Sequence, residues 1–197
     1  MSEPQNLDAI VFMKVGRHAG ETFEQIIERK RREYAAAGRI FWGYGGGTMH
    51  PVEKVQPFAS MRIKEGKRIT LVMQEIVSNH PDTEVYATEF SRDGETWEPV
   101  PEGIKVLGSR YALVLDEIEE GDLNIDLADY RVGVGPSEGK VASDYVKGRV
   151  DKGCLDRAGP PNEDESSSKI IQARYFARLR EPYAVLLRSG NGPDGAA

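Results

Sequence analysis

The sequence predicts an α+β fold: two early helices packed on a mainly antiparallel sheet, which can close into a small barrel. Three observations predict it. A capped amphipathic helix spans 22–38, a shorter helical stretch begins at Pro51, and from residue 68 onward the strand candidates follow one another with little helix between them. Helices followed by strands, without strict strand–helix alternation, argue against a doubly wound parallel sheet.

The elements follow in chain order. Residues 1–8 read as a flexible tail, and "AIVFMKV" (9–15) as an apolar, partly β-branched strand. In "TFEQIIERKRREYAAAG", Thr22 and Gln25 have capping-box spacing, and Gly38 stands where a left-handed C-cap is wanted. Phe23, Ile26, Ile27 and Tyr34 form the apolar face of this helix, with Glu24, Glu28, Arg29 and Arg32 on the other. "RIFWGY" (39–44) is a short strand. Pro51 suits the first turn of a second helix with the stripe Val52, Val55, Phe58 and Ala59; Pro57 shortens or kinks it and Gly66 ends it.

"RITLVMQEIV", "EVYATEF", "ETWEPV" and "YALVLDEI" are strand candidates, with "RDG" (92–94) as a hairpin turn, and "YRVGV" (130–134) is a further strand. The spacings Lys140/Asp144 and Lys147/Asp151 predict a helix over 142–158, weakened by Gly148 and Gly153. "GPPNEDESSS" (159–168) has the composition of a flexible loop. "KIIQARYFARLR" alternates as a strand, and a turn at Glu181–Pro182 predicts "YAVLLR" as its antiparallel neighbour. The domain plan is one α+β domain over 9–188 and a disordered tail over 189–197.

Composition bounds the function. With 39% hydrophobic and 29% charged residues the 197-residue chain is globular. No apolar run approaches the roughly 20 residues of a bilayer span, and the polar N-terminus lacks the pattern of a signal or transit peptide. A single cysteine, Cys154, fits a reducing compartment, so the expected location is cytoplasmic, with no membrane partner. The formal charge of −6 weighs against broad phosphate neutralisation but leaves room for a local basic patch.

The stretch that points to chemistry is "FWGYGGGTMHP" (41–51). Consecutive glycines let amides converge on an anion, and a helix start directly after them adds its dipole. Gly45, Gly46, Gly47 and Thr48 would hold the anion, Trp42 and Tyr44 would stack on a flat ligand, and His50 would add a ring N–H. The competing reading is a turn that needs positive φ, with Trp42 in the core. No P-loop lysine follows, and "GVGPSEGKVAS" fails the Walker spacing.

Arg174 and Arg178 on the late strand would close such a site if they lie near it; otherwise, with Arg180, they form a solvent face neutralised by the acidic segment 116–129. That segment opens like a calcium loop at Asp122, Asn124 and Asp126 but has Leu127 and Gly133 where Gly and Glu are needed, so no metal is expected. His18, His50 and His80 lack zinc spacing, and no motif implies a cofactor. Cys154 reads as a packing residue. If the protein were an enzyme, His50 would be its general base.

The order strand, helix, Trp–Gly segment, short helix and β-rich run over 9–118 resembles PUA-like domains of the EVE and ASCH kind. The resemblance implies a pocket beside the first helices for a flat base or modified nucleotide. From the glycine-rich loop (42–50), the leading expectation is a domain that binds a nucleotide-like or other flat anionic small molecule. The alternatives are a regulatory domain that meets a protein partner or a second copy through the acidic segment and the arginine strand 172–180, and a PUA-like module binding a modified base in nucleic acid.

Overall fold

The computed structural model describes residues 7–44, 51–81, 86–107, 109–147, 150–159 and 168–189. In chain order these form β1 (Ala9–His18), α1 (Phe23–Ala37), β2 (Ile40–Gly43), a π-helical turn (Pro51–Val55) leading into α2 (Gln56–Lys64), β3 (Ile69–His80), β4 (Glu89–Ser91), β5 (Glu98–Pro99), β6 (Tyr111–Asp126), β7 (Tyr130–Val132), α3 (Ala142–Tyr145), β8 (Lys152–Arg157) and β9 (Ile170–Arg188). All strands join one mixed sheet in the order β2-β6-β9-β3-β1-β8-β7, with β4 paired to β9 and β5. Only β1–β3 is parallel. The predicted α+β class holds. The sheet is open, ending on β2 and β7, so the small barrel is not formed.

Local chemistry accounts for the early elements. The Thr22 hydroxyl accepts from the Gln25 amide at 3.3 Å while the Gln25 side chain accepts from the Thr22 amide at 2.9 Å, and Gly38 takes φ +70° to end α1. Pro57 sits in the first turn of α2, where its missing donor breaks no helical bond, and the chain ahead of it winds as a π turn. Ala9–Phe12 are wholly buried because β1 is an interior strand covered on both faces.

Apolar side chains pack on both sides of the sheet. Phe23, Ile27, Val55, Phe58, Leu71 and Tyr175 join the two helices to one face. Phe12, Val72, Leu123, Leu127, Leu155 and Phe176 fill the other. A third cluster around Phe41, Phe90, Val114 and Val185 lies under β4.

Two predicted elements are corrected. The helix expected over 142–158 is reduced to Ala142–Tyr145, and Lys152–Arg157 is β8, which pairs with β1 on one edge and β7 on the other. The ladder needs of β1 outweigh the weak i, i+4 charge pairs. Likewise "KIIQARYFARLR" and "YAVLLR" are not a hairpin but one strand, β9, lying along the 16-residue β6 from Tyr111↔Leu186 to Asp126↔Ile170. The expected turn residues form a bulge instead: Leu113 pairs with Ala184 and Leu115 with Leu179, so Arg180–Tyr183 stand opposite Val114 alone. The β4–β5 hairpin around "RDG" is present, with the Asp93 carboxylate accepting from the Glu95 and Thr96 amides at 2.8 and 2.9 Å.

No helix among the described residues is long and apolar enough to cross a membrane.

Candidate functional site

A cavity of about 270 Å³ opens where the C-terminal half of β1, one face of α1, the end of β2 and the start of β8 converge. Sequence and backbone both shape it. β1 and β3 run in register to Val15↔Glu75 and resume at Arg17↔Asn79, so Ile76–Ser78 of β3 face Gly16 alone. Gly16 is required at this close approach, because a Cβ there would lie 2.0 Å from the Ser78 hydroxyl oxygen and 2.8 Å from the Ser78 carbonyl. Beyond the irregularity β1 carries Arg17 and His18 into the cavity wall.

Trp42 and Tyr44, expected in a site, do line this cavity. Both are also core residues, only 3% and 1% exposed. The Trp42 indole N–H donates to the Met13 sulfur at 3.2 Å, and the Tyr44 hydroxyl is buried without a hydrogen-bond partner among the described residues. Burial holds the Tyr44 phenol well above its ordinary pKa, so it stays neutral. These two rings are therefore walls rather than open stacking platforms. Gly45, Gly46, Gly47, Thr48 and His50 lie outside the described residues; the chain leaves the described structure at Tyr44, at the cavity, and re-enters it at Pro51.

The sequence reading missed the charge of the cavity. Lys14 and Arg17 from β1, Arg29 and Lys30 from α1 and Lys152 from β8 all line it, against one carboxylate, Asp151. Their pairing differs. Lys30 Nζ is buried and donates to both Glu33 oxygens at 3.0 Å, to the Phe41 carbonyl at 2.5 Å and to the Lys105 carbonyl at 2.9 Å. Arg29 pairs with Glu21 at 2.7 Å and Glu33 at 3.2 Å, and donates to the Lys105 carbonyl at 2.8 Å. Together they fasten α1 to β2 and to the segment before β6. Lys152 meets Asp151 at 3.3 Å, and its ammonium stands 5.7 Å from the Tyr44 ring centre. Lys14 and Arg17 have no ion-pair partner among the described residues, so they are the surplus charge of the site.

Burial drives the Lys30 ammonium down from 10.5 to about 8 and pushes the Glu33 carboxyl up, each opposed by the other's charge. Glu21, held by Arg29, falls below the ordinary carboxylate range.

The structure does not bring the arginine strand to this cavity. Arg174 pairs with Glu24 at 3.0 Å and Glu120 at 2.7 Å, and lines a separate cleft. Arg178 is exposed on β9 opposite Thr70 of β3, and Arg180 meets Asp116 at 3.5 Å. The arginine strand is thus largely set against the acidic segment, which itself is the second half of β6 and not a loop. No group of three or more metal-ligating side chains occurs among the described residues. The Cys154 thiol is buried and its pKa is pushed up by that burial, so it is a packing group and not a thiolate nucleophile.

No protein family, curated protein or solved structure matches the chain.

Proposed function

We propose that this protein is a binding module for a small, flat, anionic ligand of nucleotide-like character, taken up in the cavity between β1, α1, β2 and β8. The observation that carries this reading is the surplus charge of Lys14 and Arg17 in a cavity of about 270 Å³ walled by Trp42 and Tyr44. In a chain of net charge −6, two cations without an ion-pair partner among the described residues, at a concave, part-apolar surface, offer an anion a place to bind. The volume favours one ring with one anionic group over an extended dinucleotide. The modified-base alternative rests on the PUA-like order of elements over 9–118, and the open sheet lacks the small barrel expected beside it.

Trp42 reports on binding through its fluorescence but is a poor residue to delete. Truncating so buried an indole to alanine costs about 3–5 kcal/mol of stability, and lost binding would then mean lost folding. The test instead follows Trp42 emission in a Trp97→Phe background while adding 5′-AMP, p-aminobenzoate or inorganic phosphate. Trp97 packs against Arg188, whose guanidinium is 4.0 Å from its ring centre, a contact phenylalanine can keep. Saturable change with a ring-bearing anion, lost in Lys14→Glu/Arg17→Glu at unchanged melting temperature, is the expected result. No response to any of the three probes, or an equal response in the charge-reversed variant, overturns the reading.

A further inference from the structure

A second cleft, of about 1000 Å³, lies where the sheet divides. β3 and β9 pair from Thr70↔Arg178 to Met73↔Tyr175 and no further. Beyond that point β3 continues alongside β1 as far as His18↔His80, while β9 continues alongside β6 as far as Asp126↔Ile170. The two ladders therefore diverge, and each carries one backbone edge without a strand partner among the described residues: residues 74–80 of β3 and residues 170–174 of β9. Gln74 and Glu75 line one wall of the cleft, and Gln172 and Arg174 the other. Phe23, Met73, Leu123 and Ala173 make an apolar floor.

Natural sheets guard such edges with lysine, proline or a covering segment. Gln74–Asn79 contains no lysine and no proline and presents a fully exposed Val77, and Ile170 on the facing edge is 63% exposed. The irregularity at Ile76–Ser78 interrupts the β3 edge, which leaves β9 as the more regular template. Charge then selects the occupant. Glu75 and Asp122 stand at the cleft unpaired by any cation among the described residues. Its one lining cation, Arg174, is already shared between Glu24 and Glu120. The cleft is therefore acidic, opposite in sign to the Lys14–Arg17 cavity.

We propose that the cleft between β3 and β9 is a docking site for an extended, lysine- or arginine-rich segment of a partner protein, which adds as a strand to the free edge of β9. Main-chain hydrogen bonds to residues 170–174 supply the register, the apolar floor accepts every second side chain, and Glu75 and Asp122 receive the basic ones. A second copy of this chain, with a net charge of −6, complements an acidic cleft less well than a basic segment does.

The test uses the intact protein and a labelled peptide of about nine residues alternating lysine with valine. Hydrogen exchange is followed by NMR at the amides of residues 74–75 and 170–174. The expected result is fast exchange at cleft-facing amides of the free protein, at least about tenfold slower exchange with peptide, and loss of binding when alternate peptide amides are N-methylated. Glu75→Lys with Asp122→Lys, both exposed positions, is expected to weaken the lysine peptide at least about tenfold and to admit its glutamate counterpart, at unchanged melting temperature. Any of three outcomes overturns the proposal. They are amides already protected without peptide, equal binding of the N-methylated peptide, and affinity indifferent to charge reversal at Glu75 and Asp122.

Discussion

Lys30 shows at the scale of one residue how burial, pairing and pH are linked. Its ammonium is charged below about 8 in the folded protein, where it bears a desolvation cost that the unfolded chain does not. Between about 8 and its ordinary value of 10.5 the unfolded chain binds the extra proton, so stability rises as pH climbs through that window. The expectation is a urea midpoint that increases from pH 8 to pH 10, together with a Lys30 side-chain carbon signal that titrates near 8. A Lys30 signal titrating at its ordinary value of 10.5 would show that its four acceptors outweigh its burial. The burial of this pair is legible in the sequence. Lys30 is four residues from Ile26 and three from Ile27, squarely on the apolar stripe, and Glu33 is three beyond it. Charge type suggested the solvent face, whereas helical spacing assigned both residues to the interior.

At the scale of the element, what could be read was what local chemistry decides. The helix α1 starts and stops where Thr22, Gln25 and Gly38 require, because caps act within one turn. Thr22→Ala, which removes the hydroxyl that holds the Gln25 amide, is expected to cost about 1 kcal/mol; the measurement is the shift in urea midpoint at unchanged slope, and a shift near zero would mean that packing of Phe23 and Ile27 alone fixes the start of α1. Where tertiary pairing decides, local signals misled. Glu181–Pro182 does interrupt a strand, as its composition says, but β6 is long enough to pair with both halves, so the interruption became a bulge rather than a reversal. The second half of the helix expected over 142–158 gave way to β8 because β1, buried on both faces, needed a partner on its second edge. In the site, the aromatic wall of Trp42 and Tyr44 was visible in sequence, but the cations facing it were not. Lys14, Arg29 and Lys152 come from three elements far apart in the chain, and only the β1–α1–β8 arrangement assembles them.

For the whole molecule the consequence is a division of charge. A chain with a net charge of −6 keeps a basic cavity where β1, α1, β2 and β8 meet and an acidic cleft where β3 and β9 part. No residue lines both, although α1 contributes to each: Ile26, Arg29 and Lys30 to the cavity, Phe23 to the cleft. Ligands of opposite sign should therefore bind without competing, each stabilising the fold by an amount that grows with the logarithm of its own concentration over its dissociation constant. At about 100 times its dissociation constant a single ligand adds about 2.7 kcal/mol, which for a domain of this size raises the melting temperature by about 5–10 °C. Thermal unfolding with 5′-AMP alone, with the lysine–valine peptide alone and with both is expected to give shifts whose free energies add within about 0.5 kcal/mol. Lys14→Glu/Arg17→Glu should abolish the first shift and keep the second, while Glu75→Lys/Asp122→Lys should keep the first and cut the second by about half or more. A combined shift well above the sum would instead reveal that α1 couples the two sites, since among the described residues it is the one helix whose side chains line both.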